Sequence, residues 1–119
     1  MSMKHWERSR NIGEAFSFAW RGLQDVFLRE QNVRIQLLVG TLVVCAMFFY
    51  RIPPANMAIG IMAIVFVVAL EMINTSLELF ADAMYPEYNS NIRSAKDIAA
   101  GAVLLASIGA CIVGVLVFL

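Results

Sequence analysis

Four polar residues recur within one otherwise apolar stretch, EMINTSLELFAD at positions 71–82. In a helix, at about 100° per residue, Glu71, Asn74, Glu78 and Asp82 lie within roughly 80° of one another on one face. An ionisable group at the centre of a bilayer costs at least about 2.5 to 3.5 kcal/mol, so several on one face indicate a functional site. The alternative is a solvated helix end in the headgroup region, which suits Asp82 best.

Carboxylates grouped in this way bind hard cations such as Mg²⁺. When one or two carboxylates hold Mg²⁺, water and the phosphate oxygens of a substrate complete its coordination shell. The acidic stripe therefore predicts a bound nucleotide beside it. Glu30 is a further carboxylate at the same predicted depth, and its spacing alone favours a solvated residue.

A second polar cluster, Arg93, Lys96 and Asp97, opens the last apolar stretch of the chain. Cations at this position can neutralise phosphate, and the free N–H groups at the start of a helix favour anions. Anchoring to the membrane surface is the alternative role for Arg93 and Lys96.

Several other chemistries are excluded by the sequence. It contains no phosphate-binding loop of the G-x-x-x-x-G-K-[ST] type, no protein-kinase signature, no nucleophile elbow and no metal-binding His or Cys pair. The single histidine is His5, and Cys45 and Cys111 fall inside apolar stretches. Nine basic residues balance nine acidic ones, so no overall charge favours nucleic acid. Acid and base catalysis would therefore depend on carboxylates.

The elements that must position these groups are membrane helices. The chain of 119 residues is 61% hydrophobic and 15% charged, with a mean hydropathy of +0.73, far from the composition of a soluble domain. Residues 36–50, 52–70 and 98–119 contain no Asp, Glu, Lys or Arg. A spanning helix needs about 20 predominantly apolar residues, so we expect an all-α membrane protein that forms one domain over residues 1–119.

Three transmembrane helices are predicted, over 33–50, 55–83 and 94–119. Pro53 and Pro54 end the first and leave a short turn, so the first two should form an antiparallel hairpin. The second is longer than the hydrocarbon core, so its last turns, which carry the acidic stripe, must leave that core.

An amphipathic helix is predicted over 12–28, ahead of the first span. Its apolar residues recur at spacings of three and four: Ile12, Ala15, Phe16, Ala19, Trp20, Leu23 and Phe27. Trp6 and Trp20 favour the membrane interface, which indicates a helix lying along the bilayer surface. A soluble helix packed on a partner is the alternative.

The basic residues predict the orientation. Eight of them lie before or within the start of the first span or in the second loop, and only Arg51 lies on the other side. The N-terminus and the acidic stripe are therefore expected in the cytoplasm, with the C-terminus outside. Three helices are too few to enclose a polar site, so we expect a homo-oligomer. A small residue at every fourth position from Ala102 to Gly114 favours close helix packing.

Three segments resemble the small prokaryotic diacylglycerol kinase and undecaprenol kinase family: EMINTSLELFAD, PEYN at 86–89 and AKDIAAGAVLL at 95–105. AWRGL at 19–23 and LREQNVRIQ at 28–36 resemble further family motifs. The resemblance extends from about Phe16 to the end of the chain. It implies a homotrimer in the bacterial cell membrane with active sites at subunit interfaces, and transfer of a phosphoryl group from ATP to a lipid alcohol.

The resemblance also implies residue roles. Glu71 corresponds to the catalytic base and Asn74 to a residue that orients it or the lipid hydroxyl, while Glu30 and Glu78 correspond to the pair that holds the divalent metal. The residues expected to bind ATP are Phe18, Glu30, Glu78, Glu87, Tyr88, Asn89, Lys96 and Asp97. Asn89 stands where the family often has histidine, and Phe18 and Asn11 stand where some members have a tyrosine and an arginine.

Details of the motifs favour one acceptor. INTSLE and AKDIAAGAVLL resemble the Gram-positive type, which is associated with undecaprenol, so undecaprenol is the expected substrate and diacylglycerol the alternative. A non-enzymatic ion-conducting subunit is a more remote alternative. It would carry acidic groups near the bilayer midplane, whereas here they cluster at one end of one span.

Overall fold

A computed structural model describes Arg8 and residues 10–119 of the chain. These residues form four helices and no strand: α1 (Ile12–Arg29), α2 (Gln31–Phe49), α3 (Pro54–Met84) and α4 (Ser90–Phe118). The last three are long and apolar enough to cross a membrane. The prediction of an all-helical chain with three membrane-length helices is confirmed, while Lys4, His5 and Trp6 lie outside the described residues.

Helix α1 has a defined start and end. The Asn11 side chain accepts a hydrogen bond from the Glu14 amide at 2.8 Å and so caps the first turn. At the other end Glu30 is extended, with φ −109° and ψ 113°, and it alone separates α1 from α2. The chain therefore turns from α1 into the first span at a single residue, and that residue is a predicted metal ligand.

Helices α2 and α3 form the expected antiparallel hairpin. Arg51 adopts φ 54° in the connecting turn, and Pro54 opens α3 at a position where its missing N–H is not needed. The two helices approach closely at Gly40, where an added Cβ would lie 2.7 Å from the Ile64 side chain. This contact and the packing of the fully buried Met47 against Gly60 set how the two helices are aligned.

Helix α3 has 31 residues, about 46 Å at 1.5 Å per residue, so it exceeds the roughly 30 Å hydrocarbon core. It packs against α4 along more of its length than against α2. Helix α4 begins at Ser90, four residues before the predicted start, because the Asn89 side chain accepts hydrogen bonds from the amides of Asn91 and Ile92 and caps the first turn. The α3–α4 pair is the part of the fold that carries the polar residues.

Little of the single chain is buried. The buried apolar residues of the described part are Val26, Val33, Met47, Val67, Ala81 and Val117. Large apolar side chains lie on the outside of all three candidate spans, as a lipid environment permits. Against this background the three buried polar residues, Glu71, Asn74 and Thr75, stand together in two turns of α3.

Candidate functional site

The polar stripe of α3 is buried among the helices at Glu71 and Asn74 and exposed to solvent at Asp82. Glu71 is 5% exposed and Asn74 8% exposed, Glu78 is half-buried, and the Asp82 carboxylate is exposed. The stripe continues the buried face that Gly60 and Val67 form deeper in the helix. A solvated helix end therefore describes Asp82 but not Glu71 or Asn74.

The corner between α1 and α2 brings two further polar residues to the stripe. The Asn32 side chain lies close to the Glu71 carboxylate, and Glu30 and Glu78 lie near enough to repel the charge on Glu71. Asn32 follows Glu30 by two residues and is the second residue of α2. It lies opposite Glu71 of the antiparallel helix α3. Asn32, Glu30 and Glu78 therefore lie in the neighbourhood of Glu71.

Two neighbours of Glu71 on α3 shape the same region. The Thr75 hydroxyl donates to the Glu71 carbonyl oxygen at 2.9 Å, a bond to the preceding turn that tends to bend a helix. The Asn74 carbonyl oxygen Oδ1 is buried and accepts no hydrogen bond within the described part of the chain. A buried acceptor without a donor costs about 1 to 3 kcal/mol, so a ligand group that donates a hydrogen bond would be stabilised at this position.

The carboxylates suit a metal bound jointly with a ligand rather than by protein alone. Among the described residues, no group of three or more His, Cys, Asp or Glu side chains is close enough to form a metal site. Glu30 and Glu78 flank Glu71 at electrostatic range, and their oxygens are the donors that Mg²⁺ prefers. Because Mg²⁺ keeps several waters and phosphate oxygens in its shell, two carboxylates fit it.

Lys96 of α4 meets the exposed end of the stripe. Its ammonium Nζ lies 2.8 Å from Asp82 Oδ1, and Glu78 and Asp97 add negative potential at the same group. Arg93 forms a longer, exposed contact with Asp97 one turn along α4, at 3.6 Å. Lys96 is therefore held across the α3–α4 interface, next to the acidic residues.

The other predicted nucleotide residues lie on α1 and in the α3–α4 loop. Phe18 is half-buried on α1 with the Arg21 guanidinium 5.9 Å from its ring centre. Glu87 and Tyr88 are exposed in the α3–α4 loop, and no hydrogen bond or ion pair between described residues joins them to the stripe. Asn89 directs its side-chain oxygen to the start of α4, so its cap and its predicted nucleotide contact involve the same side chain.

Sequence patterns assign no role to three residues of the site. Asn32 lies within LREQNVRIQ and Thr75 within EMINTSLELFAD, but only the pairing of α2 with α3 reveals that Asn32 lies close to Glu71. Asp82 lies on the predicted stripe, but its partner Lys96 is 14 positions away on another helix. The available signal for Asn32 is its polarity at the start of an apolar helix, two residues after Glu30.

Two apolar spaces lie among the helices. A cavity of about 600 Å³ lies beneath α1, between Trp20, Val33, Val68 and Met72, and the last two flank Glu71 on α3. A groove of about 310 Å³ runs between α2, α3 and α4. Gln36 lines this groove, and its side-chain oxygen is buried without a hydrogen-bond partner in the described part of the chain.

Comparison with known proteins gives one consistent result. Residues 17–118 match the family model described as prokaryotic diacylglycerol kinase. A diacylglycerol kinase of Synechocystis sp. is 36% identical over 110 residues, which are 92% of this chain and 63% of the relative. An undecaprenol kinase of Bacillus subtilis is 27% identical over 99% of this chain and 96% of its own length, and a diacylglycerol kinase of Escherichia coli is 27% identical over 85% and 83%. The chain thus spans less than two thirds of the first relative and nearly all of the second.

Proposed function

The chain belongs to the prokaryotic diacylglycerol kinase family, and we propose that it transfers the γ-phosphoryl group of ATP to the hydroxyl of a membrane lipid alcohol, with undecaprenol as the acceptor. The observation that carries this proposal is the buried Glu71 carboxylate in the second half of α3, whose charge is repelled by the nearby carboxylates of Glu30 and Glu78. Phosphoryl transfer needs a group that accepts the hydroxyl proton and a means of neutralising phosphate charge. The site offers both.

Glu71 is the proposed general base. A carboxylate oxygen accepts the proton of the lipid hydroxyl as that oxygen attacks the γ-phosphorus. The Asn32 carboxamide lies close to this carboxylate and is suited to orient it by donating a hydrogen bond. Asn74 lies three residues from Glu71 on the same face of α3, so its side-chain amide is suited to donate a hydrogen bond to the oxygen of the lipid hydroxyl while Glu71 accepts the proton.

Glu30 and Glu78 are the proposed ligands of Mg²⁺. The bound metal supplies neutralisation of the charge on the ATP phosphate oxygens. The repulsion between Glu30, Glu78 and Glu71 makes a cation favourable at this place, and Glu30 is held at the α1–α2 corner by the extended backbone between two helices. Phe18, Glu87, Tyr88, Asn89, Lys96 and Asp97 are the proposed contacts of the nucleotide itself.

The lipid approaches from the membrane. The 600 Å³ cavity beside Val68 and Met72 gives the first part of a hydrocarbon chain an apolar place next to Glu71. Helix α1 forms the roof of this cavity, and its side chains Ile12, Phe16 and Trp20 are exposed in the single chain, which supports an orientation of α1 along the bilayer surface. A water-soluble acceptor would gain nothing from either feature.

A homotrimer with its polar site on the cytoplasmic side completes the proposal. In one chain the groove between α2, α3 and α4 is open, and the Gln36 oxygen in it has no partner within the described residues. Another copy of the chain can fill that groove. The excess of basic residues before α2 and between α3 and α4 supports a cytoplasmic N-terminus and an outward C-terminus.

Diacylglycerol is the second candidate acceptor, because the Synechocystis relative at 36% identity is named a diacylglycerol kinase. Undecaprenol is favoured by the Gram-positive character of the motifs and by the Bacillus subtilis undecaprenol kinase, of which the match covers 96%. Both acceptors present a primary hydroxyl at the membrane interface. The site chemistry is the same for either.

The test is a side-by-side assay of the purified full chain with radiolabelled ATP and each lipid in the same mixed micelles. The proposal expects label in the extracted lipid, with a higher kcat/KM for undecaprenol than for diacylglycerol. A preference for diacylglycerol would show that the proposed acceptor is wrong and that the proposed kinase activity is right. Absence of label in both lipids, with ATP and Mg²⁺ in excess, would contradict the kinase itself.

A further inference from the structure

The ion pair between Asp82 and Lys96 joins the two helices that carry the polar site. Asp82 Oδ1 and Lys96 Nζ are 2.8 Å apart, although the residues are 14 positions apart in the sequence. The Lys96 side chain is 33% exposed and that of Asp82 68% exposed. The other ion pairs that the structure shows among the described residues connect neighbours four positions apart on one helix, Asp25 with Arg29 and Arg93 with Asp97.

Lysine is a flexible side chain that usually requires ordering before it can bind a phosphate. An ammonium group has three hydrogen-bond donors and a long stem with about 2 kcal/mol of rotamer entropy. In the structure one donor is directed to Asp82, so two donors remain for another acceptor. The contact also places the charge next to Glu78, a proposed metal ligand.

We propose that Asp82 is a positioning residue, which holds the Lys96 ammonium across the α3–α4 interface in the orientation that receives the phosphates of ATP. This inference rests on the proposed function and adds a role for Asp82. The ordering occurs before the nucleotide arrives, so the nucleotide does not bear its entropic cost on binding. The contact of Arg93, by comparison, is with Asp97 on its own helix.

The direction in which neutralising Asp82 changes ATP binding distinguishes this role from simple charge repulsion. If Asp82 only added negative charge near the nucleotide, neutralising it would tighten ATP binding. If Asp82 orients Lys96, neutralising it weakens ATP binding and leaves the chemical step largely unchanged. In Asp82→Asn, the new side-chain amide would still accept a hydrogen bond, but it would no longer attract the ammonium by charge.

The experiment compares Asp82→Asn, Asp82→Glu and Asp25→Asn by steady-state kinetics of the full chain at saturating lipid. Asp25 is the matched control, because it is an exposed carboxylate whose ion pair is with Arg29 on its own helix. Asp82→Asn should raise KM for ATP by about two- to fivefold, the range that a partly exposed ion pair supports. It should change kcat by less than about twofold, and Asp82→Glu should restore KM for ATP.

The Lys96→Gln variant, alone and combined with Asp82→Asn, completes a double-mutant cycle. If Asp82 acts through Lys96, Asp82→Asn should raise KM for ATP no further when Lys96→Gln is already present. An unchanged or lower KM for ATP in Asp82→Asn, or an equal increase in the Lys96→Gln background, would overturn the inference. An inactive wild-type chain would overturn the proposed function, whereas an active one in which Lys96→Gln alone raises KM would overturn only the role of Asp82.

Discussion

The guanidinium group of Arg34 closes the corner between α1 and α2, with Nη1 2.7 Å from the carbonyl oxygen of Phe27 and 3.1 Å from that of Leu28. These carbonyls belong to the last turn of α1, where a cation complements the helix dipole. The bond spans Glu30, the single extended residue between the helices. Arg34 therefore fixes the angle at which Glu30 is presented to Glu71.

Arg34→Gln should lower kcat/KM for MgATP by about fivefold, equivalent to about 1 kcal/mol, because the corner that holds Glu30 loses its charged cap. Steady-state kinetics at varied MgATP and fixed lipid measure the change. Arg29→Gln is the control, since the ion pair of Arg29 is with the exposed Asp25 on its own helix. Equal losses in both variants would show that the effect is not specific to the corner.

Much of the architecture could be predicted from the sequence because a membrane imposes strong constraints. Charge-free stretches of the right length predict spans, and the proline pair predicts the hairpin turn. Hydropathy places the start of α4 near 94 rather than at Ser90, because it does not detect the polar cap, Asn89, at which the helix begins. The contact of Arg34 with the end of α1 could not be predicted from the sequence either. The position of Arg34 at the start of a span indicates only that it lies at the membrane interface.

The site could be predicted only in part. The period of a helix places Glu71, Asn74 and Glu78 on one face, but it does not say whether that face is buried. The contacts of Asn32 with Glu71 and of Asp82 with Lys96 depend on how two helices align. That alignment is set by packing details such as Gly40 against Ile64, which no spacing rule contains.

Gly40→Ala should destabilise the fold by about 1 to 3 kcal/mol, because the added Cβ would lie 2.7 Å from Ile64 Cγ2. Thermal unfolding in one detergent measures the loss. Gly22→Ala is the control, since nothing lies within 4 Å of an added Cβ there. Ile64→Ala should relieve part of the loss in the double variant, and a Gly40→Ala chain as stable as the wild type would contradict the packing argument.

Removal of divalent metal should stop turnover, and both proposed ligands should matter for metal binding. Glu30→Gln and Glu78→Gln should each raise the Mg²⁺ concentration for half-maximal activity by about tenfold or more, since even an outer-shell partner contributes 10- to 100-fold. Activity titrated with Mg²⁺ after treatment with a chelator measures this. Asp25→Asn should leave the half-saturation concentration unchanged, and a normal value in either glutamate variant would remove that residue from the metal site.

A larger side chain at Gly114 should weaken assembly. Nothing in the single chain lies within 4 Å of a Cβ added there, and Gly114 lines the open groove between α2, α3 and α4, which another copy is proposed to fill. Gly114→Leu should reduce the fraction of trimer measured by light scattering in detergent. Gly101→Leu, about 140° away around α4 and also unobstructed in the single chain, should assemble normally. A fully active wild-type monomer would contradict the trimer.

The most direct test of the central claim is the turnover of Glu71→Gln with ATP, Mg²⁺ and the preferred lipid. The amide has the shape of the carboxylate but cannot accept the hydroxyl proton, so we expect a loss of at least about 100-fold in kcat. The variant should assemble as the wild type does, with Asp25→Asn as a fully active control. Turnover near the wild-type rate in Glu71→Gln would contradict the account, because the buried carboxylate of α3 would then not be the catalytic base.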